Sequence, residues 1–317
     1  MSNNDEHHVI FGTGPVGLAV MDALLAQNKQ VRLVNRSGRA DVPAGVEVVK
    51  GDASVPDSTR EICKGASVVY NCTNPPYDKW PELFPTLQNG VLEGAAAAEA
   101  KLIVIENVYM YGPTGGRPMT EDLPYAAETR KGRTRARMSE ELLAAHQSGK
   151  VRVAVGRASD FFGPRTLNSM MGERVFYPAL EGKSAQALGD VDRLHTQSYI
   201  PDIGRGLVVL AEHDQALGQI WHLPSPETVT TRQFIDMIFD ETGNPAKIQV
   251  APKILVKALG LFNPTMHEIV EMLYEFEEDF VLNTSKFEQA FGNIATPLPE
   301  AIHTSVEWYR QNPNYGR

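Results

Sequence analysis

The sequence predicts an α/β fold, a doubly wound parallel sheet with helices on both faces and a smaller, mostly helical C-terminal portion. Three observations predict it. Short apolar runs alternate with stretches of helical spacing through the first half of the chain. Those runs are apolar on both faces, as strands buried between two helical layers must be. The first run ends in Gly12-Thr-Gly14-Pro-Val-Gly17, a spacing that here follows a strand and opens a helix.

The elements follow in order. "HVIFGTG" is the first strand and its loop, and "PVGLAVMDALLAQNK" repeats apolar residues at helical intervals. "QVRLVNRSG" alternates as a second strand, "VEVVKGD" reads as a third, "ASVVYNCT" as a fourth and "AKLIVIENVYMYG" as a fifth. "LQNGVLEGAAAAEAK" is a helix between the last two, and another long helix covers about 130–148. "KVRVAVGRASDFFGP" is a sixth strand with its exit loop. Further on, "MHEIVEMLYEFEEDF" (266–280) reads as an acidic amphipathic helix with Ile269, Met272, Leu273 and Phe276 as its apolar stripe.

Composition narrows the function. The chain has 317 residues and a formal charge of −9, which argues against general binding to nucleic acid or anionic lipid. Its two cysteines, Cys63 and Cys72, suggest neither a disulfide framework nor a metal site. The polar start and the lack of a run of about 18 apolar residues lead us to expect a cytoplasmic protein with no membrane contact. One stretch departs from the acidic balance: "KGRTRAR" (131–137) holds four cations in seven residues.

The glycine loop points to a dinucleotide. Gly12 permits a tight turn, Gly14 lets a pyrophosphate approach the backbone, and Gly17 lets the helix pack on the strand. Thr13, Pro15 and Val16 complete a loop whose helix N-terminus faces the phosphates. At the end of the second strand, where an acid would accept a ribose 2′-hydroxyl, stand Asn35, Arg36 and Ser37. No carboxylate repels a 2′-phosphate there, and Arg36 can pair with one. NADP(H) is therefore the expected cofactor, with NAD(H) possible.

By these features the chain resembles the extended and atypical short-chain dehydrogenase/reductase superfamily, its epimerase/dehydratase-like branch. "GDASVPDS" is similar to the family segment whose acid, here Asp52 beside Ala53, contacts adenine. "CTNPPY" is similar to the fourth-strand loop that passes the ribose and nicotinamide, with Thr73, Asn74 and Pro75 beside the cofactor. "GRASDFFGP" resembles the Arg-x-x-Asn-x-Tyr-Gly-Pro exit of the sixth strand, with Ala158 and Ser159 near the cofactor and Asp160 in the Asn position. The resemblance implies a Rossmann-type NAD(P)-binding domain over 1–165, with about 195–222 returning to it. A smaller substrate-binding portion would come from 166–194 and 223–317. It implies also a possible homodimer, and a small-molecule substrate in the cleft between the two portions.

Active members of that superfamily carry a Ser or Thr after the fifth strand and a Tyr-x-x-x-Lys on the next helix. Counting back from Tyr111-Gly112 places Asn107 on the Ser. Aligning "ARMSEELLAAH" places Arg133 on the Tyr and Arg137 on the Lys, where Arg137 could still hold a ribose hydroxyl or phosphate. A guanidinium does not release its proton near neutral pH, so Arg133 cannot replace the tyrosine. Tyr109 and Tyr111, two apart on an extended backbone, would share a face. Tyr109, or a bound water, is then the expected proton donor, with Asn107 holding the substrate oxygen. Tyr77, Phe161, His195 and Tyr199 are expected at the substrate, whereas Trp221 and His222 look structural and Asp202 looks like a helix cap. The expected function is an NADP(H)-dependent oxidoreductase transferring hydride to a small carbonyl or enone. A catalytically inactive NADP(H)-sensing regulator and a sugar-nucleotide epimerase or dehydratase are the alternatives.

Overall fold

The computed structural model describes residues 6–251, 256, 268 and 270–315. Thirteen strands are named among them: β1 (His7–Phe11), β2 (Gln30–Asn35), β3 (Glu47–Lys50), β4 (Val68–Asn71), β5 (Lys101–Glu106), β6 (Arg152–Arg157), β7 (Asp160–Phe162), β8 (Ala185–Leu188), β9 (Leu194–His195), β10 (Gln197–Tyr199), β11 (Ile220–His222), β12 (Val229–Thr230) and β13 (Ile248–Ala251). Seven form one parallel sheet in the order β11-β6-β5-β4-β1-β2-β3. The chain starts in the middle, winds outward through β2 and β3, then crosses back to β4. That reversal opens a crevice beyond the C-terminal ends of β1 and β4, where open parallel sheets bind ligands.

Two-residue periodicity sorts the strand side chains between the faces. Ile10, Leu33, Val68, Tyr70, Ile103 and Ala154 point to one core, and Val9, Phe11, Val69, Leu102, Val104, Val153 and Val155 to the other. The first core is covered by α1 (Pro15–Ala26). The second is covered by α3 (Trp80–Ala97) and α4 (Arg130–Gln147), which follow the short α2 (Pro56–Ile62) in turn. The lobe beyond the sheet adds α5 (Glu173–Leu180), α6 (Ile200–Glu212), α7 (Thr231–Thr242), α8 (Ser285–Phe291) and α9 (Leu298–Gln311). Of these, α6 returns to the sheet and packs Ile203 and Leu207 into the α1 side, and α8 places Phe287 there too. A separate core of Phe162, Phe176, Phe234, Ile238, Val306 and Tyr309 joins α5, α7 and α9.

The expected acidic helix is not continuous. Ile269, with 266 and 267, lies outside the described residues; Leu273–Phe276 is a single 3-10 turn rather than α-helix. Beyond it the backbone is extended, because Phe280 donates its N–H to Leu194 O at 2.7 Å and Thr196 donates to Phe280 O at 2.9 Å. Strand-like pairing with β9 thus ends the helical pattern that the apolar spacing suggested. Asp202 is not a cap either: it sits inside the first turn of α6 and accepts from Thr296 N (2.8 Å) and Oγ1 (2.7 Å). No described helix is long and apolar enough to cross a membrane.

Candidate active site

The glycine loop is built as its chemistry demands. Gly12 has φ +106°, and a Cβ there would lie 2.5 Å from Cys72 O on the neighbouring strand's exit. A Cβ on Gly17 would lie 2.0 Å from Gly12 O, so strand and helix meet backbone to backbone. Around Gly14 nothing lies within 4 Å of the corresponding position, leaving open space at the start of α1. That helix begins with Pro15, has no side-chain cap and no acid in its first turn, so its N-terminal amides and dipole face that space unscreened.

The adenosine side is shaped by hydrogen bonds. Asn35 donates through Nδ2 to Thr13 Oγ1 (3.0 Å) and Arg39 O (2.8 Å), and its Oδ1 accepts from Ser37 N (3.0 Å) and Gly38 N (2.7 Å). Asn35 therefore organises the loop, and Ser37 with it, leaving Arg36 exposed. Asp52 accepts from Ser54 Oγ (2.6 Å) and N (2.9 Å); these bonds, and more weakly Arg36, hold its carboxyl below the usual range. Ala53 follows it, its carbonyl 2.0 Å from where Gly90 would carry a Cβ. Along the crevice, Thr73 donates its hydroxyl to Asn71 Oδ1 at 2.7 Å, Pro75 O accepts from Trp80 Nε1 at 3.2 Å, and Asn74 is exposed. Ala158 N reaches Glu106 O at 3.0 Å, while Ser159 Oγ is buried with no partner among the described residues. Open space at an uncapped helix start and an unpaired hydroxyl farther along fit a bound dinucleotide.

Helix α4 departs from expectation. Arg133 and Arg137 stand on the outer face of α4, and Arg137 lies 3.7 Å from Glu141 with over half its side chain exposed. The inward face carries Lys131, fully buried, and Arg135, 2 % exposed. Counting back from the buried Leu142 and Met138 by four, three and four residues lands on 138, 135 and 131, so the apolar stripe held the register that the motif alignment missed. The site thus presents Lys-x-x-x-Arg where relatives present Tyr-x-x-x-Lys. Cations at a helix start oppose its dipole. Carboxylates from the C-terminal segment answer them: Glu271 accepts from Arg130 N, and Glu268 accepts from Lys131 Nζ. Arg135 is poorly satisfied: its Nε has no partner among the described residues, Glu106 Oε1 is 3.7 Å away, and Phe84 stacks beneath it at 4.5 Å.

Tyr109 and Tyr111 do not share a face, because Tyr109–Tyr111 is a 3-10 turn rather than extended chain. Tyr111 turns inward to Arg157, and Tyr109 turns to the crevice. There its hydroxyl meets that of Tyr77 at 3.5 Å, and Lys131 Nζ sits 4.1 Å from the Tyr77 ring centre. Burial, then the nearby Glu275, pushes the Tyr109 phenol well above its usual range, and burial raises Tyr77 as well. Burial also draws Lys131 down to about 8, partly offset by Glu271. Asn107 lies half-buried beside them and spends its Oδ1 on Tyr109 N at 3.3 Å, leaving its amide N–H groups for another acceptor.

Across the crevice, His195 Nε2 meets Asp160 Oδ2 at 3.0 Å, and the imidazole lies between Phe276 (5.5 Å) and Phe280 (5.0 Å). Phe161 is half-buried next to Asp160 and packs toward the sheet core. Tyr199 departs from its expected place: it is 4 % exposed and packs against Phe162, ring centres 5.2 Å apart, inside the lobe core. A second, largely buried network backs the site. Arg157 donates to Glu106 (3.0 Å), Tyr111 (2.6 Å), Tyr125 (2.5 Å) and Ser139 (2.8 Å); Tyr111 also meets His222 Nε2 at 2.8 Å. The described residues contain no group of His, Cys, Asp and Glu able to hold a metal ion.

Comparison with known proteins bears on the fold. A family model described as the NAD dependent epimerase/dehydratase family matches residues 9–223. The uncharacterized protein y4nL of Sinorhizobium fredii (strain NBRC 101917 / NGR234) is 22% identical over 292 residues, covering 84% of this chain and 81% of that protein. Among solved structures, the UDP-glucuronic acid 4-epimerase of Bacillus cereus in complex with NAD superposes with TM-score 0.76 at 18% identity, over 96% of this chain and 97% of that one. A double mutant of the dTDP-glucose 4,6-dehydratase of Streptomyces venezuelae, with NAD bound, gives TM-score 0.77 at 16% identity, over 97% and 98%. At these identities the likeness is one of fold.

Proposed function

The chain belongs to the NAD dependent epimerase/dehydratase family, and from that premise we propose that it is an NADP(H)-dependent oxidoreductase acting on a small carbonyl compound or enone. The observation that carries this reading is the Tyr109–Tyr77 hydroxyl pair with Lys131 over the Tyr77 ring, at the C-terminal ends of the central strands. Gly12, Gly14, Gly17 and the α1 amides would hold the pyrophosphate, and Arg36 the 2′-phosphate. Ser159 and Arg135, each with an unsatisfied polar atom, would take the nicotinamide end. The cofactor, when bound, supplies the hydride. The chain's own residues handle the rest. Asn107 can donate an amide N–H to the substrate oxygen. Tyr109 stays protonated far into the alkaline range and can give that oxygen its proton, with Tyr77 behind it and Lys131 keeping the local potential positive.

The test is a screen of NADPH oxidation against carbonyl compounds, repeated with Tyr109→Phe. Loss of the hydroxyl is expected to lower kcat roughly 10²–10⁴-fold while leaving NADPH affinity unchanged. Full activity in that variant refutes the assignment. The second reading, a sugar-nucleotide epimerase or dehydratase, is favoured by the family. Conversion of UDP-glucuronic acid or dTDP-glucose without net cofactor turnover would select it.

A further inference from the structure

Glu275 lies on the 3-10 turn Leu273–Phe276 and is 1 % exposed. Its Oε1 has no hydrogen-bond partner among the described residues. The charge acting on it is Asp160, another carboxylate, and it in turn is felt by the phenols of Tyr77, Tyr109 and Tyr274. Asp160 is turned to His195; of the two cations on the inward face of α4, Lys131 is taken by Glu268 and lies 3.9 Å from Glu271, and Arg135 faces Glu106 at 3.7 Å. A buried carboxylate with no cation opposite it among the described residues is costly, several kcal/mol even after relaxation. Neutralisation by a proton is the inexpensive alternative, and burial reinforced by Asp160 pushes this carboxyl well above its usual range.

The turn is also held in place. Asp190 N donates to Phe276 O at 2.7 Å, a Cβ on Gly189 would lie 2.1 Å from that oxygen, and the Phe276 ring stacks on His195. Tyr274 of the same turn packs into the cluster that holds Val108 and Met110, so Glu275 is fixed beside the Tyr109 segment before any ligand arrives, which is the condition for a donor that stabilises charge without reorganising.

We propose that Glu275 is a neutral carboxylic acid whose O–H, together with the Tyr109 hydroxyl, forms a two-donor hole for the substrate oxygen on which negative charge develops. This rests on the carbonyl-reducing reading above and narrows it. Two neutral donors beside the Asp160 carboxylate suit an uncharged aldehyde, ketone or enone. The carboxylic O–H and the phenol each lower the energy of the forming oxyanion more than that of the ground-state carbonyl.

Infrared difference spectroscopy in D₂O at neutral pH, wild type minus Glu275→Gln, reads the protonation state without any substrate. A protonated-carboxyl stretch present in the wild type and lost in the variant is expected; its absence from the wild type overturns the proposal. Kinetics with 4-nitrobenzaldehyde and NADPH read the donor role. The amide of Glu275→Gln still donates, so kcat should stay within about tenfold, whereas Glu275→Ala should lose roughly 10²–10³-fold. A Gln variant as inactive as Ala overturns the donor role. Should the wild type reduce no carbonyl at all, the carbonyl-reducing reading fails, and the infrared band still decides the state of Glu275.

Discussion

Replacing Arg157 by Met removes the centre of the buried network behind the site. The guanidinium is fully buried and makes four hydrogen bonds, one to Glu106, itself 1 % exposed. Met fills much of the volume, so the cost comes from what is left behind. Glu106 keeps only Arg135, at 3.7 Å and through its other oxygen. Breaking one partner out of a buried ion pair costs about 3–5 kcal/mol. Equilibrium urea unfolding followed by tryptophan fluorescence and far-UV circular dichroism would measure it, at constant m-value. The double variant Glu106→Gln/Arg157→Met should recover part of the loss, because the stranded carboxylate is gone, though Arg135 then lacks its counter-charge. A loss under about 1 kcal/mol in the single variant, or strict additivity in the double, would refute the reasoning.

Three further outcomes follow from the same geometry. Arg36→Asp should weaken NADPH by roughly 10–100-fold and leave NADH near its original affinity, since about 1.5–3 kcal/mol rides on a charge-assisted bond; an unchanged affinity ratio in fluorescence titrations disproves the 2′-phosphate role. Arg133→Ala and Arg137→Ala, on the outer face, should each change stability by no more than about 0.5 kcal/mol and leave NADPH affinity intact, while Arg135→Met should weaken NADPH; titrations showing the opposite order would restore the motif alignment. Acid should destabilise the fold well before carboxylates protonate. Burial, then Arg157, pushes His222 down to about 3 and burial pushes His8 to about 4, against 6.5 ordinarily. The unfolded chain therefore takes up protons below pH 6.5 that the folded chain refuses, and stability falls as pH drops from 6.5 toward 3. At pH 5 His222 alone accounts for about 2 kcal/mol. Urea midpoints equal at pH 7.5 and 5 would contradict this.

The sheet was readable because its signals are local. Glycines at fixed spacing, two-sided apolar strands and the Arg36 position all act within a few residues, and the structure places each element near where the pattern put it. Register on α4 was misread because the motif alignment weighed Glu141 and Leu142 over the burial stripe; the two criteria differ by two residues, enough to exchange the inner and outer cations. Tyr109 was separated from Tyr111 by a 3-10 turn whose only sequence sign is Gly112 at φ +67°. Glu275 had no sequence signal at all. Its burial depends on a turn docked against Gly189 from nearly ninety residues away, and an acidic stretch reads as solvated until that docking is seen.

One consequence of the topology concerns how this molecule can be taken apart. The chain leaves the sheet after β6, returns as α6 and β11, leaves again through α7, comes back with α8 and departs finally into α9. Severing the chain between β6 and α6 would therefore strip the sheet of an edge strand and a covering helix together. Neither fragment of such a cut would hold the complete sheet.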